Sequence, residues 1–275
     1  MSLSRPLLFL LLATPAVVAA RLQLGVQGHC SGVGGQTPYR QGNLDAGVAT
    51  QLSDVRELGP DNGAQMWYRN DVGCGIDANG TVDQPCLSGL VRFVKEAQHL
   101  NITVLPILFA PVARTFPDPT TSAGQGVLFA ATAAAELYAF DMASALAAAG
   151  VTVFELSNEL DNACIQLNSQ GGAPNGNLPS MFNETKYQFF LAILRGLNTG
   201  VKRASPASKT IVNSGGWLHY GWYTRLVEQD QLDFDIIGYH WYSSMGDFNA
   251  SGPSHTTPVL ADLTKCPLRK SSSQS

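Results

Sequence analysis

Near the middle of the chain, Val151-Thr-Val-Phe-Glu-Leu-Ser-Asn-Glu159 begins as an apolar run and ends acidic. Side chains alternate along a strand, so Val151, Val153, Glu155, Ser157 and Glu159 are expected on one face, with Thr152, Phe154 and Leu156 on the other. The second face suits packing against helices. The first then looks into the interior, with Glu159 closest to the strand's C-terminal end. A carboxyl group placed there can give up or take a proton once burial has tuned it. A buried carboxylate also needs a partner, and Arg69, closing Gln65-Met-Trp-Tyr-Arg69, is a candidate to neutralise Glu155. His240, Trp241 and Tyr242 follow a further apolar run, and Trp217 and His219 another. Each of these is either a ligand contact or ordinary core packing.

The elements that must position these groups can be read from periodicity. Strands are expected at Leu22–Gln27, Gln65–Arg69, Ile102–Phe109, Val151–Leu156, Thr210–Asn213 and Phe234–Tyr239. Helices are expected at Leu44–Leu58, Leu87–Leu100, Val127–Ala149, Lys186–Val201 and Trp222–Glu228. Strict alternation of the two implies an α/β fold with a parallel sheet. Glycines at 25, 28, 32, 34 and 35 follow the first strand, but their spacing fails the Gly-x-Gly-x-x-Gly fingerprint of a dinucleotide fold. A barrel with long loops after its strands suits the gaps better, its site at the C-terminal face. About six βα units are present where a (β/α)8 TIM-type barrel has eight, so the barrel is expected to be incomplete. A short helical run at Pro258–Lys265 follows, and the Ser-rich, basic tail 266–275 reads as disordered.

Residues 1–20 carry one basic residue, an apolar run from Leu7 to Leu12, and small residues up to Ala20, the pattern of a secretory signal peptide. The domain is then residues 21–265. The run is too short to span a membrane, and no later segment offers about 18 uncharged apolar residues. A net charge of −4 gives no basic patch for nucleic acid, and 14% charged residues against 45% hydrophobic ones exclude a disordered chain. A neutral or weakly polar ligand is expected. Sequons at Asn79, Asn101, Asn183 and Asn249 fit a secreted glycoprotein. Of five cysteines, Cys74 and Cys86 are expected to form a disulfide, because Gly73, Gly75 and Gly80 let their loop turn back. The odd count leaves an unpaired thiol, with Cys266 the candidate. No Cys-x-x-Cys pair exists, which disfavours zinc and thioredoxin-like chemistry, and no cofactor is expected.

Asn158-Glu159 at the end of the fourth strand resembles the large clan of retaining glycoside hydrolases with (β/α)8 barrels, the cellulase-like and xylosidase-like families among them. The resemblance, judged by order and spacing, runs over roughly residues 22–265. It implies that Glu159 is the acid/base, that Asn158 holds a sugar hydroxyl, and that Arg69 and the His240-Trp241-Tyr242 segment belong to the substrate site. Trp217 and Trp241 are candidates to stack on a polysaccharide or oligosaccharide substrate, with core packing the open alternative for each. A retaining enzyme also needs a carboxylate about 5 to 5.5 Å from the acid as its nucleophile. In the clan that group ends strand seven. Here no Glu follows Glu228, and Asp247 and Asp262 are poor substitutes by position. Impaired activity is therefore expected for the chain as given, and the alternative reading is a non-catalytic secreted carbohydrate-binding relic.

Overall fold

The computed structural model describes residues 25–28, 46–57, 65–76, 81–110, 112, 116–166, 176–215 and 218–240. The expected signal peptide, the helical run at 258–265 and the tail lie outside these. So do Trp217, Trp241, Tyr242, Asn79, Asn249, Cys30, Cys266, Asp247 and Asp262.

Six strands alternate with helices: β1 (Gly25–Gly28), β2 (Met66–Val72), β3 (Ile102–Leu108), β4 (Val153–Leu156), β5 (Lys209–Ser214) and β6 (Ile236–Tyr239). The helices are α1 (Ala46–Glu57), α2 (Gln84–His99), α3 (Ser122–Ala148), the one-turn α4 (Leu160–Cys164), α5 (Glu184–Ala204) and α6 (Tyr220–Thr224). The last runs into a π-helical turn, Arg225–Gln229. All strand pairs are parallel, and their order in the sheet is their order in the chain. A doubly wound fold reverses its strand order at a switch point. Here no reversal occurs among the described strands, and right-handed crossovers then keep the helices on one face. The result is the incomplete (β/α)8-type barrel expected, with β1 and β6 at the two ends of the described sheet.

The helices form where local chemistry starts them. Asp83 accepts from Cys86 N at 3.0 Å to open α2, Thr121 accepts from Gly124 N at 3.0 Å to open α3, and Asn183 accepts from Lys186 N at 3.0 Å to open α5. The apolar stripe Leu87, Leu90, Phe93, Val94 and Ala97 then buries α2 on the sheet. By length and composition α3 is apolar enough to cross a membrane, although it carries Glu136 and Asp141. In this fold it lies along α5 instead. Gly196 and Gly200 lack the Cβ atoms that would strike the carbonyls of Thr132 and Glu136, so the two backbones approach closely. Arg203 then pairs with Glu136 and stacks 4.3 Å over the Phe140 ring.

One expectation needs correction. β4 ends at Leu156, so the inward face predicted from Val151 to Glu159 stops at Glu155. Ser157 (φ 66°) and Glu159 (φ 49°) are both left-handed, and the chain leaves the strand in a turn that strict alternation does not describe. The free thiol among the described residues is buried Cys164, whose ionisation is suppressed chiefly by desolvation, whereas the Cys266 candidate lies outside them. Of the sequons described, Asn101 is exposed at the α2–β3 turn and Asn183 is half-buried as the α5 cap.

Cys74 and Cys86 are bonded, as the glycine-flanked loop predicts. The bridge closes 12 residues. A Cys74→Ala/Cys86→Ala variant is expected to lose about 3 kcal/mol of unfolding free energy in the chain-entropy account. Urea denaturation of the oxidised protein beside the variant measures it, and equal midpoints would contradict it.

Candidate active site

Glu155 is 2% exposed and lies on the inward face of β4. Three strands bring it partners. From β2, Arg69 donates through Nε to Oε2 at 2.5 Å and through Nη2 to Oε1 at 2.8 Å, a two-pronged pair that matches guanidinium to carboxylate. From β5, Asn213 Nδ2 donates to Oε1. From the residue after β6, His240 places Nε2 3.5 Å from the same oxygen. Side chains from β2, β5 and the end of β6 can converge on one carboxylate of β4 only where the sheet is curled.

Asn213 does more than contact Glu155. Its Oδ1 accepts from Glu159 N at 2.6 Å, and its Nδ2 also donates to Ser157 O at 2.8 Å. One buried amide thereby holds both left-handed residues of the turn. Left-handed backbone costs a non-glycine residue roughly 1–2 kcal/mol, so such a turn persists only where its surroundings fix it. The turn delivers Glu159 to the C-terminal mouth, 19% exposed. There Oε1 lies 2.7 Å from His240 Nδ1, and Oε2 accepts from Asn162 Nδ2 at 3.1 Å. Beside it, Asn158 Oδ1 accepts from Arg69 Nη2 at 2.8 Å.

His240 therefore faces a carboxylate from each ring nitrogen, which both ring N–H groups satisfy when the imidazole is charged. Burial opposes that charge, but the hydrogen bonds to Glu155 and Glu159 outweigh it and hold the pKa above its usual 6.5. For Glu155, burial would raise the pKa, yet hydrogen bonds and charges from His240 and Arg69 prevail and hold it below 4.5. The cluster sets Arg69 and the His240 ring, whose pKa is held up, against the acidic groups of Glu155 and Glu159.

The sequence-predicted residues Arg69, Asn158, Glu159 and His240 are thus brought together. Arg69 takes the neutralising part that its position allows, on Glu155. Trp217, Trp241 and Tyr242 lie outside the described residues. Asn213, Asp161 and Asn162 were not singled out from the sequence. The signal for Asn213 is an amide directly after the apolar pair Ile211-Val212, near the C-terminal end of β5. Asp161 is fully buried, pairs with His219 and accepts from Gly215 N at 3.0 and 3.2 Å.

No protein-family model matches the sequence, and no curated protein matches it. Solved structures similar in shape include a glycoside hydrolase family 5 enzyme from Prevotella bryantii B14, with TM-score 0.45 and 16% identity over 70% of this chain and 54% of that one. A GH5-4 broad specificity endoglucanase from an uncultured bacterium gives 0.47 and 16% over 70% and 56%, and the GH53 catalytic domain of Ignisphaera aggregans gives 0.42 and 16% over 69% and 51%. The chain spans about half the length of each. The fold class stands on the strand order itself.

Asn213→Ala should cost about 2–4 kcal/mol, because it leaves buried Glu155 and the turn's backbone groups short of partners. A chemical melt of the variant measures this, and a loss below about 0.5 kcal/mol, the scatter of ordinary surface changes, would contradict it. The charge cluster also sets a pH window. Glu155 is depressed on folding, so its contribution is present above about pH 4.5 and lost as pH falls through the folded value. His240 is raised, so its contribution is full below about pH 6.5 and lost as pH climbs through the folded value. Urea midpoints should therefore fall on the alkaline side in the wild-type chain and fall less in His240→Gln. Parallel profiles would reject the assignment.

Proposed function

We propose that the chain is a secreted glycoside hydrolase of the retaining (β/α)8 kind, with Glu159 as its proton donor and Asn158 as its sugar-hydroxyl contact. The observation that carries this reading is the placing of Glu159. It is the carboxylate that the β4 turn lifts out of the buried cluster to the C-terminal mouth, where barrel enzymes do chemistry. His240 and Asn162 hold its two oxygens, which is the fixed geometry that proton transfer to a glycosidic oxygen requires. Each acidic group of the cluster already has a partner in Arg69, His240 or a side-chain amide, which suits a neutral ligand such as a β-linked oligosaccharide or polysaccharide.

A second reading, carbohydrate binding without cleavage, is favoured by one feature. The neighbouring carboxylates Glu155 and Asp161 are 2% and 0% exposed and bonded to fixed partners. Neither is open to attack an anomeric carbon at the distance a retaining mechanism needs.

The test is hydrolysis of aryl β-glycosides by the chain and by Glu159→Gln. Loss of a general acid should lower kcat roughly 10²–10⁴-fold for poor leaving groups and much less for dinitrophenolate, which departs without a proton. Equal loss on all leaving groups, or none, removes Glu159 from that role. Oligosaccharide binding by both proteins with no turnover by either would select the second reading.

A further inference from the structure

Asn162 sits on α4, three residues after Glu159, and contacts it twice. Its main-chain N–H donates to Glu159 O at 3.1 Å, and its side-chain amide donates to Glu159 Oε2 at 3.1 Å. The side chain is exposed, and an exposed amide is free to swing into water unless something fixes its base.

The end of β5 provides that base. Gly215 N–H donates to both oxygens of Asp161, the residue before Asn162, and Asp161 is also bonded to His219. Asp161 and His219 are 0% and 3% exposed, so this anchor is dry and electrostatically strong. It docks the one-turn helix directly over Gly215. A Cβ there would overlap the Asn162 amide, colliding with Nδ2, Oδ1 and Cγ alike. Glycine at 215 therefore serves two ends. Its N–H seats Asp161, and its missing side chain is the space that the Asn162 amide crosses to reach Glu159.

We propose that Asn162 is a positioning residue for Glu159, seated over Gly215, and that together with His240 it fixes the plane of the Glu159 carboxylate. This rests on the reading of Glu159 as proton donor. Asn162 holds Oε2 and His240 holds Oε1, so release of one oxygen lets the group rotate about its last bond and leave the other. The consequence appears on His240, whose pKa burial and the Arg69 charge lower and the hydrogen bonds to Glu155 and Glu159 raise. With Glu159 displaced, burial and Arg69 act against fewer hydrogen bonds, and the ring should titrate at lower pH.

The experiment is an NMR pH titration of the His240 ring in the full chain, for wild type, Glu159→Gln, Asn162→Ala, Gly215→Ala and the Asn162→Ala/Gly215→Ala pair. Glu159→Gln sets the full range, with a downward shift of about 1 unit. Asn162→Ala replaces an exposed side chain with a good helix former, so it should fold, and it should shift His240 downward by about half that range. Gly215→Ala should match it, and the pair should shift no further than Asn162→Ala alone, because both act through one contact. A His240 curve that ignores Glu159→Gln or Asn162→Ala overturns the proposal. So does a Gly215→Ala effect that persists at full size on the Asn162→Ala background. The titration reports the position of Glu159 whether or not glycosides are cleaved, so failure of the proton-donor reading shows in turnover and failure of this one in the His240 curve.

Discussion

A carboxylate almost wholly removed from water has to be compensated, and Glu155 is that carboxylate here. An unpaired charge at such a site costs several kcal/mol even after the protein relaxes. The compensation comes from β2, β5 and the end of β6, each supplying one side chain: Arg69, Asn213 and His240. These groups meet only if the strands stand in their observed registers and the sheet curls around the charge. A shift of one residue in β2 would turn Arg69 to the helical face and bring Tyr68, a core side chain, inward. The buried ion pair thus specifies an arrangement, which is the best-attested use of such pairs, and its net contribution to stability is secondary.

The same cluster supports the turn after β4. Two left-handed, non-glycine residues within three positions form an unfavourable local conformation, and no propensity of Ser157 or Glu159 favours it. Asn213 offsets this by accepting from Glu159 N and donating to Ser157 O while keeping hold of Glu155. The strain and the buried charge are therefore linked through one amide. Loosening the turn would also strip Glu155 of a donor, so Glu159 is presented at the mouth by a structure that cannot relax without exposing or orphaning a buried charge.

This division explains which parts were legible in the sequence. Strand periods and helix stripes are local, so β2, β3 and β5 and helices α1, α2, α3 and α5 lie close to where the pattern puts them. Arg69, Asn158, Glu159 and His240 were legible because chemistry-bearing residues at the ends of apolar runs stand out. The exit from β4 was not. Alternation carried through to Glu159 predicts a straight strand, and the left-handed turn is imposed by Asn213, 54 residues further on. The short helix α4 was missed for a related reason. Five residues have no readable period, and their helical form depends on Asp161 docking onto Gly215.

The separation of Glu155 from Glu159 also constrains what each can do. Oε1 of Glu155 is engaged by Arg69, Asn213 and His240, and Oε2 by Arg69. An attacking carboxylate needs a lone pair directed at open space, and Glu155 has its oxygens occupied and almost no exposed surface. Glu159 is tethered at two points as well, but at the rim and by groups that can exchange partners with a bound ligand: an exposed amide and an imidazole. Two carboxylates four residues apart are thereby given opposite characters by their surroundings. One is a fixed charge around which the sheet is organised, and the other stands at the rim with its two oxygens held by an imidazole and an exposed amide. His240, touching both, is where the electrostatics of the scaffold reach the mouth, so the state of the buried cluster is felt at Glu159 through one ring.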